Sequence, residues 1–245
     1  MWHLLEWDTD FFGIVIGGIR VEGVDGAVIA KAEDDARRAG VRCLYAETDP
    51  NDIESSDKLQ RLGYRLVDVA IELEHRLNVD PPPTRARVRR GTVDDVPDLG
   101  DLVDLVAPWS RFAVDPRFGL GAATAMHRAW VERAATHVDG RSLLLAEQDG
   151  GITGMLTTSF EDDPSSSDGR RPRIDLVASK EPRSGAAQAM VAHAIASFGG
   201  ASSLAGPIPA RNIVSLRFSE QMGYRVRRAE YLYHRWLDED PRARP

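Results

Sequence analysis

The apolar positions of this chain fall into short runs with two different periods. Residues 13–24 alternate Ile, Val and Gly as a strand does, and residues 27–39 place Ala and Ile among charges at helical spacing, with Gly40 as a stop. A short apolar run at 41–46 reads as a buried strand, 52–62 as a helix ending at Gly63, and 64–73 as a further alternating strand. Beyond residue 85 the pattern resumes with a strand at 86–90. Thr92 then stands as a helix cap with Asp95 three places on, and Val96, Leu99, Leu102, Val103 and Val106 follow at helical spacing. Residues 143–147 and 152–159, joined by Gln148-Asp149-Gly150-Gly151, predict a hairpin. A strand at 173–178, an alanine-rich helix at 185–198, and strands at 204–206 and 227–236 complete the reading. Strands and helices mixed in this order predict an α/β or α+β fold.

Two stretches interrupt the periodicity. Asp80-Pro81-Pro82-Pro83-Thr84 can neither continue a helix nor donate to a central strand, so 81–85 reads as a linker between a domain at 1–80 and one at 86–238, with a tail at 239–245. Residues 161–173 mix acids, serines and basic residues and read as a long mobile loop.

The two parts end alike. With an offset of 160, Leu44 meets Leu204, Ile53 meets Ile213, Ser55 meets Ser215, and Gly63-Tyr64-Arg65 meets Gly223-Tyr224-Arg225. A shift of one also brings His75-Arg76 onto His234-Arg235. The shared unit is strand, helix, glycine, aromatic, strand, with glycine supplying the left-handed turn that ends a helix. The agreement points to duplication rather than to a chance likeness of two αβ hairpins.

Composition narrows the function. Of 245 residues, 42% are hydrophobic and 28% charged, as in ordinary folded proteins. A net charge of −7 argues against a nucleic-acid-gripping face but leaves room for a small anion held by local arginines. Cys43 is the single cysteine, which fits a reducing, cytoplasmic setting. No apolar run approaches the roughly 20 residues of a membrane helix, and the first residues lack a signal-peptide pattern. The sequence shows no metal-ligand spacing, no Ser-His-Asp arrangement and no GxGxxG. His127 and His137, in a predicted helix and at its end, read as exposed or capping histidines.

The second part resembles the GNAT superfamily of acyl-coenzyme A-dependent N-acetyltransferases. The resemblance rests on Val88-Arg89-Arg90-Gly91-Thr92, on the cadence Ala146-Glu147-Gln148-Asp149-Gly150 with Gly154, and on Asn212 followed by Phe218 and Gly223-Tyr224, all in the family's order. Over its whole length the chain resembles the two-half TDP-fucosamine N-acetyltransferase group, through Glu6-Trp7-Asp8, Phe11-Phe12-Gly13, Ser110-Arg111-Phe112, Asp115-Pro116-Arg117-Phe118 and Trp130-Val131-Glu132. The resemblance implies a tandem GNAT-like α/β (α+β) fold. Its first half would be truncated and structural, and its second complete, with a mixed, mostly antiparallel sheet. It implies acetyl-CoA as co-substrate, no metal, and a small-molecule amine as acceptor, most narrowly a nucleotide sugar. A homodimer would suit the family, although no residue locates an interface.

Site residues follow from the same resemblance. Arg183, Ser184, Gly185, Ala186 and Ala187 occupy the family's pyrophosphate loop, where backbone N–H groups at a helix start receive an anion. Pro182 stands where the family has Arg or Gln, leaving Arg183 to take that role; the stretch would equally make a Gly-Ala helix start packed on a strand. A backbone N–H at Leu176 or Val177 would polarise the thioester carbonyl. Asn212 is a cofactor contact or a helix N-cap, two roles that can coexist. Ser219 lies seven residues on, where many relatives have a general-acid tyrosine, and serine is too short for that role except through water. Asp175, Glu161 and Asp162 are candidates for receiving the amine's proton. Arg111, Phe112, Asp115, Phe118 and Trp130 form either an acceptor pocket, with aromatic faces for a sugar or base, or a helical cap. Two alternatives stay open: another small amine as acceptor, or a catalytically silent coenzyme A-binding protein.

Overall fold

The computed structural model describes residues 1–75, 86–164, 169–181, 183–199 and 202–238. The proline run at 81–85, Pro182, Arg76 and the tail at 239–245 lie outside the described residues. In chain order the elements begin with β1 (Trp2–Leu4), α1 (Glu6–Phe12), β2 (Ile16–Ile19), α2 (Gly26–Arg38) and β3 (Cys43–Thr48). Next come α3 (Ile53–Arg61), β4 (Arg65–His75), β5 (Arg87–Arg90), a 3-10 helix (Val93–Leu99), α4 (Gly100–Val106) and a second short 3-10 turn (Ala107–Trp109). Then follow α5 (Arg111–Val114), α6 (Gly119–Ala135), β6 (Ser142–Gln148), β7 (Gly151–Asp162) and β8 (Arg170–Ser179). The chain closes with α7 (Ala186–Ser197), β9 (Ser203–Pro209), α8 (Ile213–Gln221) and β10 (Tyr224–Trp236). Two compact units result, one of Met1–Ala70 with the segment from Ala229 onward, and one of Ile71–Arg228.

In the first unit β1 pairs antiparallel with β2, β2 parallel with β3, and β3 antiparallel with β10. The amphipathic α2 and α3 close one face, where Ile29, Ala36 and Leu59 pack on Leu44, Ala46 and Tyr233. Each such large apolar side chain, fully buried, is worth about 1.5–3 kcal/mol. Glu33 is buried in the same layer, and burial pushes its carboxyl above the usual range against the pull of Arg235.

The second unit is a mixed, mostly antiparallel sheet. β5, β6, β7 and β8 pair antiparallel in succession, and β9 joins β8 in parallel. Alternation along the strands sends Leu144, Ala146, Leu156 and Ile174 to α7, where Met190 and Ala194 wait, and sends Leu143, Leu145 and Met155 to α4 and α6. Gly154 lets α7 settle close on β7: a Cβ there would lie 2.8 Å from Met190 Cε and 3.0 Å from the Ala178 carbonyl.

Three expectations need correction. The expected loop at 161–173 is strand at both ends, and its residues 165–168 lie outside the described residues: Glu161 and Asp162 end β7 and Arg170 to Arg173 begin β8, paired from Asp162↔Arg170 onward. The charges that made it look loop-like satisfy one another across the ladder, for instance Arg173 with Glu161 at 2.8 Å. The helix after Thr92 starts as a 3-10 turn because Pro97 removes a donor. His127 is buried rather than exposed, its Nδ1 2.7 Å from the Ala123 carbonyl. His137, with φ +57°, does act at the helix end, its ring bridging Arg90 Nε and the Gly91 carbonyl.

The Thr92 and Asp95 pairing is present. The Asp95 carboxylate accepts the Thr92 N–H at 2.8 Å and two Arg89 N–H groups at 2.7 and 2.9 Å, and the Arg89 guanidinium holds its carboxyl far below the usual range. A depressed carboxyl stabilises the fold above its unfolded value, near 4, and loses that contribution as pH falls below it. Asp95→Ala is therefore expected to cost about 1 kcal/mol or more at pH 7 in urea unfolding. The variant should also lose less stability than the parent between neutral pH and pH 3.

Candidate active site

The second unit's parallel pair parts early. Among the described residues β8 and β9 pair only at Arg173↔Leu204 and Ile174↔Ala205, yet β8 runs on to Ser179 and β9 to Pro209. The sequence of β9 explains this. Pro207 and Pro209 have no N–H to give to a ladder, and Gly206 turns with φ +95°. On its other edge β8 stays paired with β7 as far as Gly154↔Ser179. Between Thr157↔Leu176 and Thr158↔Ile174 the register slips, leaving Asp175 as the extra residue of a β-bulge. Lys180 N–H donates to Thr153 O across β7, so by strand alternation the N–H groups of Ala178 and Leu176 face β7. The N–H of Val177 then faces the side that β9 has left.

The start of α7 opens beside the same strand. Arg183 has φ +67° and Gly185, the N-cap, φ +84°. Ser184 folds the turn by donating to the Glu181 carbonyl at 3.0 Å, while its hydroxyl accepts the Ala186 N–H at 3.4 Å. Glycine brings no side-chain cap, so the first-turn donors, Ala187 among them, meet no residue of their own cap. Arg183, a non-glycine residue held left-handed, has its backbone committed to the shape of this turn.

The first unit carries the same run of elements in a closed form. The 160-residue offset relates β2 to β8, α2 to α7, β3 to β9, α3 to α8 and β4 to β10. It reaches details: Gly63 and Gly223 both have φ +87°, and Asp52 and Asn212 cap their helices by accepting Ser55 N–H at 3.0 Å and Ser215 N–H at 3.1 Å. Yet β2 and β3 stay paired at four positions, from Ile16↔Cys43 to Ile19↔Ala46. Asp25, at the place of Gly185, fills its helix start with its own carboxylate on Ala27 N–H at 2.8 Å. A negative charge there does for α2 what an anionic ligand would otherwise do.

Asp175 lies beside the opening among polar groups. Its Oδ1 accepts from Ser159 Oγ at 2.9 Å and stands 3.4 Å from Arg173 Nε. Burial pushes its carboxyl above the usual range; Ser159, Arg173 and Arg141 pull the other way without cancelling the rise. Glu161 is instead tied to Arg173, and Asp162 sits at the end of β7.

The remaining predicted residues separate. Asn212 is nine-tenths buried and engaged as N-cap of α8. Ser219 points inward from α8 and is buried. Phe112 and Asp115 are buried within the expected acceptor segment: Phe112 meets Phe118 edge-on at 5.2 Å, and Asp115 accepts the Arg117 N–H at 3.0 Å. Arg111 lies over the Phe112 ring at 4.9 Å and Trp130 beside His127 at 5.2 Å, both half-buried. The start of this segment is tied to the loop before Asn212. Arg211, next to Asn212, donates to the carbonyls of Pro108, Trp109 and Ser110 and lies over the Trp109 ring. Arg173 and Arg211 went unforeseen, because an arginine in a strand or loop carries no periodic signal. The contrast of Asp25 with Gly185 is legible in the sequence at the same 160-residue offset. Among the described residues no group of three His, Cys, Asp or Glu side chains could hold a metal ion, and no helix is long and apolar enough to cross a membrane.

No family model and no curated protein matches the chain. Solved structures do. The chain is similar to a functionally unknown conserved protein from Staphylococcus epidermidis, with TM-score 0.65 and 13% identity over 91% of this chain and 84% of that one. A GCN5-related N-acetyltransferase from Sphaerobacter thermophilus gives TM-score 0.59 and 14% identity over 91% and 73%. A tandem GNAT protein from the clavulanic acid biosynthesis pathway gives 0.53 and 14% over 93% and 77%. At these identities the likeness shows the fold: a mixed α/β GNAT fold of the tandem kind.

If the opening beside α7 receives coenzyme A, adding it should raise the melting temperature of the parent chain. Gly185→Val, which forces a branched side chain into the left-handed region, should abolish that rise, whereas Asp25→Ala should lower the melting temperature yet keep the rise.

Proposed function

We propose that the second unit transfers an acetyl group from acetyl-CoA to a primary amine, with the first unit structural. The observation that carries this reading is the parting of β8 from β9 beside a helix start whose N-cap is glycine. An extended pantetheine arm needs a slot edged by main-chain donors, and a pyrophosphate needs converging N–H groups. Arg183 to Ala187 would hold the phosphates, Val177 N–H would meet the thioester oxygen, and the loop at Asn212 would border the slot.

The chemistry is direct attack. The amine enters as ammonium and gives its proton to Asp175, directly or through water; its lone pair then adds to the thioester carbonyl carbon. Negative charge on the oxygen is met by the Val177 N–H. The C–S bond breaks and the sulfur leaves as thiolate. The attacking nitrogen gives its second proton to water, water protonates the thiolate, and Asp175 returns its proton to solvent. The short Ser219 hydroxyl would reach the sulfur only through water. A thiol with a pKa near 8.5 is a fair leaving group without that help. For the acceptor we propose a nucleotide-linked amino sugar. Arg111, Phe118 and Trp130, on the segment that Arg211 fastens to the loop before Asn212, offer a guanidinium and aromatic faces to it.

Thiol release from acetyl-CoA over a panel of amines, TDP-amino sugars included, tests this. Release with an amino-sugar nucleotide supports the whole reading, and release with other amines alone corrects the acceptor. Coenzyme A binding with no turnover on any amine would leave a silent binding protein. Asp175→Asn should lower kcat by about 10²-fold or more. In the parent, kcat/KM should rise with pH through a carboxyl titrating above the usual range, because the base must be ionised and burial raises its pKa. That limb should vanish in the variant.

A further inference from the structure

Where β9 leaves β8 the ladder stops, and the carbonyl of Gly206 loses the partner that a continuing parallel strand would have supplied. Arg173 takes it: Nε donates to Gly206 O at 2.8 Å and Nη2 donates to the same oxygen. The guanidinium is fixed on its other side. Nη1 meets Glu161 of β7 at 2.8 Å and Glu72 of β4 at 3.6 Å, and Glu72 is itself held by Arg227 and Arg228 at the start of β10. Glu72 is almost fully buried, so this grip is not a solvent-exposed pairing. The same Nε lies 3.4 Å from Asp175, the residue that the bulge pushes out of register.

We propose that Arg173 is a positioning residue for acyl transfer, fixing both the point at which β8 and β9 part and the carboxylate of Asp175 beside that point. This deepens the reading of the site given above and rests on it. A single guanidinium does both tasks because its donors form a rigid planar fork, which the point charge of lysine lacks. Lysine would keep the positive charge near Asp175 but could not grip Gly206 O while also meeting Glu161 and Glu72. The charged and titratable groups facing Asp175 are Arg141 ahead of β6, Glu161 on β7 and Arg173 on β8, with Glu72 of β4 behind Arg173.

The test compares Arg173→Lys and Arg173→Met with the parent. Coenzyme A affinity is measured by calorimetry, and kcat, KM and the pH profile with the best amine. Arg173→Lys should weaken coenzyme A binding and lower kcat by about tenfold, the scale of a small misplacement, while the acid limb of the profile stays in place. Arg173→Met should show the same losses and move the acid limb to higher pH, because a cation that favours ionised Asp175 is gone. Should Arg173→Met not fold, the lysine variant alone decides. Unchanged coenzyme A affinity and kcat in folded Arg173→Lys would overturn the inference. A parent chain that binds no coenzyme A would instead overturn the reading of the site, so the two failures are distinct.

Discussion

Two parallel strands that stop pairing while both continue leave main-chain donors and acceptors that something else must satisfy. Buried backbone groups are almost always partnered, so the point where β8 and β9 separate governs its surroundings. Pro207 and Pro209 have no N–H to give to a ladder. Arg173 takes up the Gly206 carbonyl at the fork, and the bulge at Asp175 lies where β8 leaves β9 while keeping its pairing with β7. The N–H of Val177 remains on the side that β9 has left.

The first unit works as an internal control. Its elements repeat those of the second down to cap geometry and the φ of one glycine, yet its parallel pair stays closed and Asp25 occupies its own helix start. The same framework therefore exists with and without an opening. The difference lies in a few residues: prolines in β9, glycine in place of aspartate at a helix cap, and an arginine at the fork. The GNAT fold alone does not decide whether a unit holds a ligand; under the proposed function these local differences would.

Much of this was legible in the sequence. The element order, the Thr92 and Asp95 cap, the repeat from Gly40 onward, and the place of Gly185 after a strand all follow from periodicity and turn chemistry. What escaped was long-range. Residues 161–173 look like a loop because their charges compensate one another only across a ladder that sequence spacing does not reveal. His127 looks exposed because its partner, the Ala123 carbonyl, is main chain. Phe112 and Asp115 leave two roles open in the sequence, a ligand contact or a packing cap, because an aromatic and an acid in a loop-rich stretch serve for either; the Asx-type turn at Asp115 is a local bond. The bulge at Asp175 depends on register with β7, which only the paired strand defines.

Hydrogen–deuterium exchange with and without coenzyme A tests the central claim most directly, because it reads main-chain donors in both units at once. Saturating coenzyme A should slow exchange in residues 175–180 and 183–188 and leave residues 16–27 of the first unit unchanged. Protection of both regions alike, or of neither, would contradict the account: the open strand pair would then not be what distinguishes the two units.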